Sequence, residues 1–174
     1  MRRKTKQIHI GAVPIGGTAP ISVQSMTNTE TSDVDATVEQ ILKLEDAGCD
    51  IIRVAINSKE DAQAIPKIKE KIHIPIIADI QFDYRLALYA IEYGVDGLRI
   101  NPGNIGNRSK VEKVVNACKE HKVPIRIGVN AGSIKQEYID KYHGVNEDSI
   151  FYSAMDQIKM LESMDFYDIK VALK

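Results

Sequence analysis

Apolar strand-like runs alternate along the chain with amphipathic helix patterns, which predicts an α/β fold built on a parallel sheet covered by helices. Six such strands, near residues 23, 53, 78, 99, 126 and 170, occur in 174 residues. A full barrel of about 250 residues uses about 31 per βα unit, so this length holds roughly five to six units. The other parallel architecture, an open doubly wound sheet, is weakened because no Gly-x-Gly-x-x-Gly or Walker-type loop follows the first strand. The predicted fold is therefore a (β/α)8 TIM-type barrel, incomplete, with an N-terminal β-hairpin. Residues 1–174 are expected to be one domain that stops before the last two barrel strands.

Each element has its own signal. Ile8-His9-Ile10, a Gly/Pro turn and Ile15 read as a hairpin within residues 7–26, leading into a first strand at 21–25. Thr31-Ser32-Asp33 offers an N-cap cluster for a helix with Val34, Val38, Ile41 and Leu42 on one face, stopped by Gly48. Residues 50–55 form a short β-branched strand run, after which Ser58 caps a helix carrying Ile65, Ile68 and Ile72. Pro66 lies inside that helix, so a kink or two short helices are expected. A strand at 74–79, a helix at 84–93 ending on Gly94 and a strand at 97–100 follow. Val111, Val114, Val115 and Cys118 make the clearest helical stripe, with Ser109 as its expected cap. A strand at 124–128, a polar loop, a helix marked by Ile150, Ala154, Ile158 and Leu161, and a strand at 168–172 complete the pattern.

Composition removes several classes of function. The chain has 23 Lys and Arg against 24 Asp and Glu, a net charge of -1, which argues against a nucleic-acid arm or a membrane-coating surface. No apolar run approaches the roughly 20 residues needed to span a bilayer. Met1-Arg2-Arg3-Lys4-Thr5-Lys6 is basic but no apolar stretch follows it, so a cytoplasmic location is expected. Cys49 and Cys118 belong to no Cys-x-x-Cys pair and cannot supply four thiolates to a metal, and the four histidines lack ligand spacing. No metal site is expected within these residues.

The informative feature is a charge that recurs in successive strands. Asp-Ile-Ile-Arg53-Val, Asp-Gly-Leu-Arg99-Ile, Pro-Ile-Arg126-Ile and Asp-Ile-Lys170-Val share a template, and Ile-Ile-Ala-Asp79 is its acidic counterpart. Equivalent positions in a parallel barrel face one region, here expected near the C-terminal mouth. Asn101 follows Arg99 by two residues, hence on the same face, and Asn130 follows Arg126 by four. A single strand Arg is usually an ion-paired structural residue. One carboxylate, however, cannot neutralise Arg53, Arg99, Arg126 and Lys170 together, and burying surplus cations costs several kcal/mol each, roughly. A multiply charged anion solves the problem, because the planar Arg fork grips phosphate oxygens bidentately. The candidate site is thus a phosphate or diphosphate site. The amides of 101–107 and the polar loop at 24–29 are further candidates to line it. Asp79 or Asp83 could take a proton, bind a substrate hydroxyl or orient a guanidinium.

Longer motifs carry a resemblance. Arg2-Arg3-Lys4-Thr5, Pro20-Ile21-Ser22-Val23-Gln24-Ser25-Met26-Thr27-Asn28-Thr29, Ala78-Asp79-Ile80, Phe82-Asp83-Tyr84-Arg85, the run from Leu98-Arg99-Ile100-Asn101 through Gly106, and Pro124-Ile125-Arg126-Ile127-Gly128-Val129-Asn130-Ala131-Gly132-Ser133 are specific and spread over essentially the whole chain. They resemble the N-terminal barrel domain of the 4-hydroxy-3-methylbut-2-enyl diphosphate synthases of non-mevalonate isoprenoid biosynthesis. The resemblance implies an oxidoreductase that reductively opens 2-C-methyl-D-erythritol 2,4-cyclodiphosphate. It also implies electrons from flavodoxin or ferredoxin, a [4Fe–4S] cluster with ligands outside this chain, and a homodimer. On this chain it gives diphosphate binding to Arg53, Arg99, Arg126 and Lys170, polar substrate contacts to Asn101 and Asn130, and an acidic, possible catalytic, position to Asp79. Where the family commonly has His, this chain has Gln81, and an amide cannot shuttle a proton as an imidazole does. Without the cluster domain the chain alone is expected to be inactive. Two alternatives remain at this point: a diphosphate-binding fragment without chemistry, and a transferase barrel related to dihydropteroate synthase.

Overall fold

The computed structural model describes residues 3–173. Met1, Arg2 and Lys174, including the first residue of the Arg2–Thr5 run, lie outside the described residues. A two-stranded antiparallel hairpin, β1 (Ile8–Ile10) and β2 (Val13–Ile15), precedes a six-stranded parallel sheet. Its strands are β3 (Gln24–Met26), β4 (Ile51–Ala55), β5 (Ile76–Asp79), β6 (Gly97–Ile100), β7 (Ile125–Val129) and β8 (Ile169–Leu173), in sequential order. The crossovers are α1 (Val34–Asp46), α2 (Lys59–Lys69), α3 (Tyr84–Glu92), α4 (Arg108–His121) and, between β7 and β8, α5 (Gln136–Lys141) and α6 (Glu147–Glu162). Sequential parallel order with a helix at every crossover is barrel topology. The sheet curls: Gln24 on β3 and Arg126 on β7, with three strands between them, meet across its concave side.

Side chains alternate between the two faces, and the faces have opposite characters. The convex face buries Ile52, Val54, Ile76, Ala78, Leu98, Ile100, Ile125 and Ile127 against the helices, whose contribution includes Ile41, Ile65, Ile68, Ile91, Val114, Val115 and Leu161. At roughly 25 cal/mol per Å² of apolar surface removed from water, this layer dominates stability. The concave face has a small apolar floor, where Ile10 of the hairpin packs on Ile51 and Ile77 with Val13 and Ile15 at its margin. Above that floor the concave side carries Gln24, Arg53, Asp79, Arg99, Arg126 and Lys170, with Met26, Ala55, Gly128 and Ala172 between them.

Local chemistry fixes the helix ends. Ser58 and Asp61 form a capping box at α2, and the buried Asp61 carboxylate also accepts the backbone N–H groups of Ser32 and Asn57. One carboxylate thereby ties together the loops after β3 and β4. Asp33, Asp83 and Asn146 cap α1, α3 and α6.

Four expectations shift. Strand β3 starts at Gln24 rather than at residue 21, because the Asp50 side chain takes the Val23 N–H (2.7 Å) and no neighbour covers the outer edge. Pro66 does not split its helix: it lies on the exposed face near the C-terminal end, and buried Ile65 and Ile68 hold the segment to the sheet. Asn107, not Ser109, caps α4, its Oδ1 accepting from the Lys110 N–H. The polar loop after β7 contains a 3-10 turn at Ala131–Ser133 and the short α5.

Strands β3 and β8 each have one unpaired edge, flanked by exposed Ile21, Val23, Val171 and Leu173. Gel filtration of this chain at micromolar concentration is expected to show dimers or larger species, and a clean monomer would count against such pairing.

Candidate functional site

The parallel register sets the site. Asp79, Arg99, Arg126 and Lys170 are cross-strand partners in one continuous row over β5, β6, β7 and β8. Arg53 is two residues lower, paired with Ile77 while Ala55 takes the place opposite Asp79. Its side chain nevertheless reaches the row. The predicted charge template is therefore a row of four with one member climbing from the layer below. Asp79 ends its strand, whereas Arg126 and Lys170 are second in theirs, so the row is staggered across the interior instead of ringing the mouth.

Asp79 is the hub. Its carboxylate, 5 % exposed, accepts from Arg99 Nη1 at 2.9 Å and lies 3.2 Å from Arg53 Nε. Two guanidinium groups share one carboxylate, which orients both. Arg53 Nε and Nη2 also lie against the Met26 sulfur at 3.3 and 3.2 Å. Among the described residues Arg126 meets no carboxylate: its Nη1 donates to the Gln24 amide oxygen at 3.0 Å, and its buried Nε finds no partner there. Burial, followed by the charges of Arg53 and Arg99, pulls the Arg126 guanidinium below the usual arginine range. Lys170 is held below the usual lysine range by burial and then by Arg126. Among the described residues, neither Arg126 nor Lys170 makes an ion pair. Four cations against one carboxylate leave a concentrated positive surplus in a chain whose net charge is -1.

Gly128 makes this packing possible. A Cβ there would fall 2.6 Å from Arg99 Nε and 2.8 Å from Nη2, so the guanidinium packs directly against the β7 backbone. Glycine inside a strand often marks such a close approach.

The other expected residues divide. Asn101 is buried just beyond β6, and its Oδ1 accepts from the Gly103 N–H, so that atom closes a turn. The Asn104 N–H is likewise used by the Asn101 carbonyl. Asn130 continues the extended backbone of β7 and is exposed, with its N–H bonded to Ser133 Oγ. Asp83 caps α3 and pairs with Arg85 at 2.7 Å, and Arg85 in turn holds the Asp83 carboxyl below the usual carboxylate range. It does not join the row. In the loop at 24–29, Gln24 and Met26 reach the site, whereas the Asn28 side chain is held by Gln40. Sequence reasoning gave no specific role to Gln24, Met26 or Gly128. Their signals were the alternation of long side chains in the first strand and a glycine within an apolar one.

Gly128→Ala is expected to keep the fold, because position 128 has an ordinary strand backbone, while pushing Arg99 off its seat. A crystal structure of the variant, showing whether Arg99 still contacts Asp79, checks this.

Comparison with known proteins agrees with this architecture. The model of the GcpE TIM-barrel domain matches residues 5–174. A Caldanaerobacter subterraneus 4-hydroxy-3-methylbut-2-en-1-yl diphosphate synthase (flavodoxin) is 54 % identical over 174 residues, 100 % of this chain and 49 % of its own length. Its Listeria monocytogenes counterpart is 56 % identical over 99 % of this chain and 47 % of its own. This chain spans about half the length of the curated relatives it matches. Among solved structures, dihydropteroate synthases of Yersinia pestis (TM-score 0.68, 8 % identity, 95 % of this chain and 61 % of that one) and Vibrio fischeri (0.69, 14 %, 96 % and 66 %) are similar. At such identity the likeness is one of fold alone. The match over nearly the whole chain, together with relatives sharing more than half its residues, shows that the chain belongs to the GcpE family, as its TIM-barrel domain.

Proposed function

We propose that this chain is the substrate-binding barrel of a 4-hydroxy-3-methylbut-2-enyl diphosphate synthase, and that its charged row holds the diphosphate of 2-C-methyl-D-erythritol 2,4-cyclodiphosphate. The single observation that carries the reading is the pair of cations without carboxylates, Arg126 and Lys170, beside two arginines that share Asp79. A diphosphate supplies the missing negative charge and more acceptor oxygens than one carboxylate offers. Asn130 at the end of β7, and Asn101 through its amide nitrogen, are proposed to meet the polar part of the substrate. Asp79 is proposed to act first as the counter-charge that aims Arg53 and Arg99, and second as the carboxylate nearest the reacting sugar. The pterin-transferase alternative is not favoured, since its support is fold likeness without sequence likeness.

The complete protein is proposed to perform the reductive conversion to 4-hydroxy-3-methylbut-2-enyl diphosphate as a homodimer, with electrons from flavodoxin, the donor printed in the relatives' names, or ferredoxin. The residues described here do not fit an iron–sulfur cluster. Cys118 lies fully buried on the helix-covered side with its thiol pushed far up by burial, and Cys49 is buried with its Sγ donating to the Ile51 carbonyl. Among the described residues no group of three His, Cys, Asp or Glu side chains could hold a metal. The chain's own contribution is to bind the anion, orient it and hold Asp79 ionically engaged beneath it. No helix among the described residues is long and apolar enough to cross a membrane.

Calorimetry with the cyclodiphosphate or with inorganic pyrophosphate tests the site. Arg126→Ala is expected to weaken binding by about 1.5–3 kcal/mol, the range for hydrogen bonds to charged groups; unchanged affinity would refute the assignment. Lys170→Met is expected to match or exceed the parent in thermal midpoint without ligand, because it removes a desolvated cation, while binding pyrophosphate at least about tenfold more weakly. Restoration of electron-dependent turnover, on adding the remainder of a family enzyme in trans, separates a catalytic barrel from a binding fragment.

A further inference from the structure

The anion site includes a contact whose chemistry is conspicuous for being neutral. Arg126 sits in the row beside Arg99 and Lys170, and among the described residues its side-chain acceptor is the amide oxygen of Gln24, at 3.0 Å. The two residues are 102 positions apart, and the bond crosses the concave side from β3 to β7. At this place a carboxylate would be the ordinary partner for a guanidinium. Glutamate has the length of glutamine and would make the same contact with a full charge. The amide fixes Arg126 without neutralising it.

We propose that Gln24 is an affinity-determining residue of the anion site: it aims Arg126 across the lumen while leaving its charge available to a diphosphate. This rests on the anion-binding reading and deepens it. The arrangement divides labour between two kinds of partner. Asp79 neutralises part of the charge of Arg53 and Arg99 and orients them, so the site stays compact without ligand. Gln24 orients Arg126 and subtracts nothing. A second carboxylate in its place would leave a smaller surplus of cations and would compete directly with the ligand for Arg126 Nη1.

Two substitutions distinguish this role from a brace that matters only for shape. Gln24→Glu keeps length and acceptor but adds a charge, whereas Gln24→Ala removes the acceptor and adds none. Pyrophosphate affinity, measured by calorimetry on the 174-residue chain, is expected to fall in the order parent, Gln24→Ala, Gln24→Glu. The last step should be at least about tenfold, because a new unit charge within contact distance acts in a partly desolvated site. The thermal midpoint of Gln24→Glu without ligand should be no lower than that of Gln24→Ala, which reports that the variant folds and that Arg126 is paired. A shape-only brace reverses the affinity order, with Gln24→Glu close to the parent and Gln24→Ala the weaker, and that result overturns the proposal while leaving the diphosphate site standing. Failure of the parent chain to bind pyrophosphate at all overturns the site and this role together.

Discussion

The concave side of this sheet is organised around an unequal charge balance. One carboxylate serves two guanidinium groups, and a third guanidinium and an ammonium group go without. Burial first, and the like charges beside them second, hold Arg126 and Lys170 below the usual arginine and lysine ranges. The fold bears this cost because the opposite face is almost entirely aliphatic. Ile, Val, Leu and Ala from strands and helices bury one continuous layer, and the strained polar row is mounted on it. Stability is generated on one side of the sheet and offsets the cost of the charged row on the other.

Much of this was legible from the residues alone because strands alternate and barrels repeat. The run Asp-Gly-Leu-Arg99-Ile places two apolar side chains outward and one charge inward, and the two later strands, at Arg126 and Lys170, repeat the device closely enough to show that the charges share a face. Helix limits followed where capping residues and glycine stops were unambiguous, as at Ser58 and Gly94. Arg53 shows where such reading ends. Strand spacing assigns it to the row, whereas hydrogen-bond register puts it a layer lower, because tilted strands displace equivalent positions along the barrel axis.

The contacts that remained hidden are those without a local pattern. Gln24 and Arg126 meet only because the sheet curls, and no window of sequence contains both. Gly128 looks like a weak point in a strand until the guanidinium lying on it is seen. Helix α5, Gln-Glu-Tyr-Ile-Asp-Lys, has too few apolar residues to show a period and forms in the space between β7 and α6. Asp83 was ambiguous for the opposite reason. A carboxylate close in sequence to the site has a nearer use as a helix cap.

The hairpin has a further consequence. Ile10, Ile51 and Ile77 close the floor beneath the charged row, which leaves the rim and the open side between β3 and β8 as its approaches. Nothing held above that floor can leave through the bottom of the sheet. A neighbour that covered both the rim and the gap between β3 and β8 would govern arrival and departure alike, and dwell time would then be a property of that cover as much as of the cations.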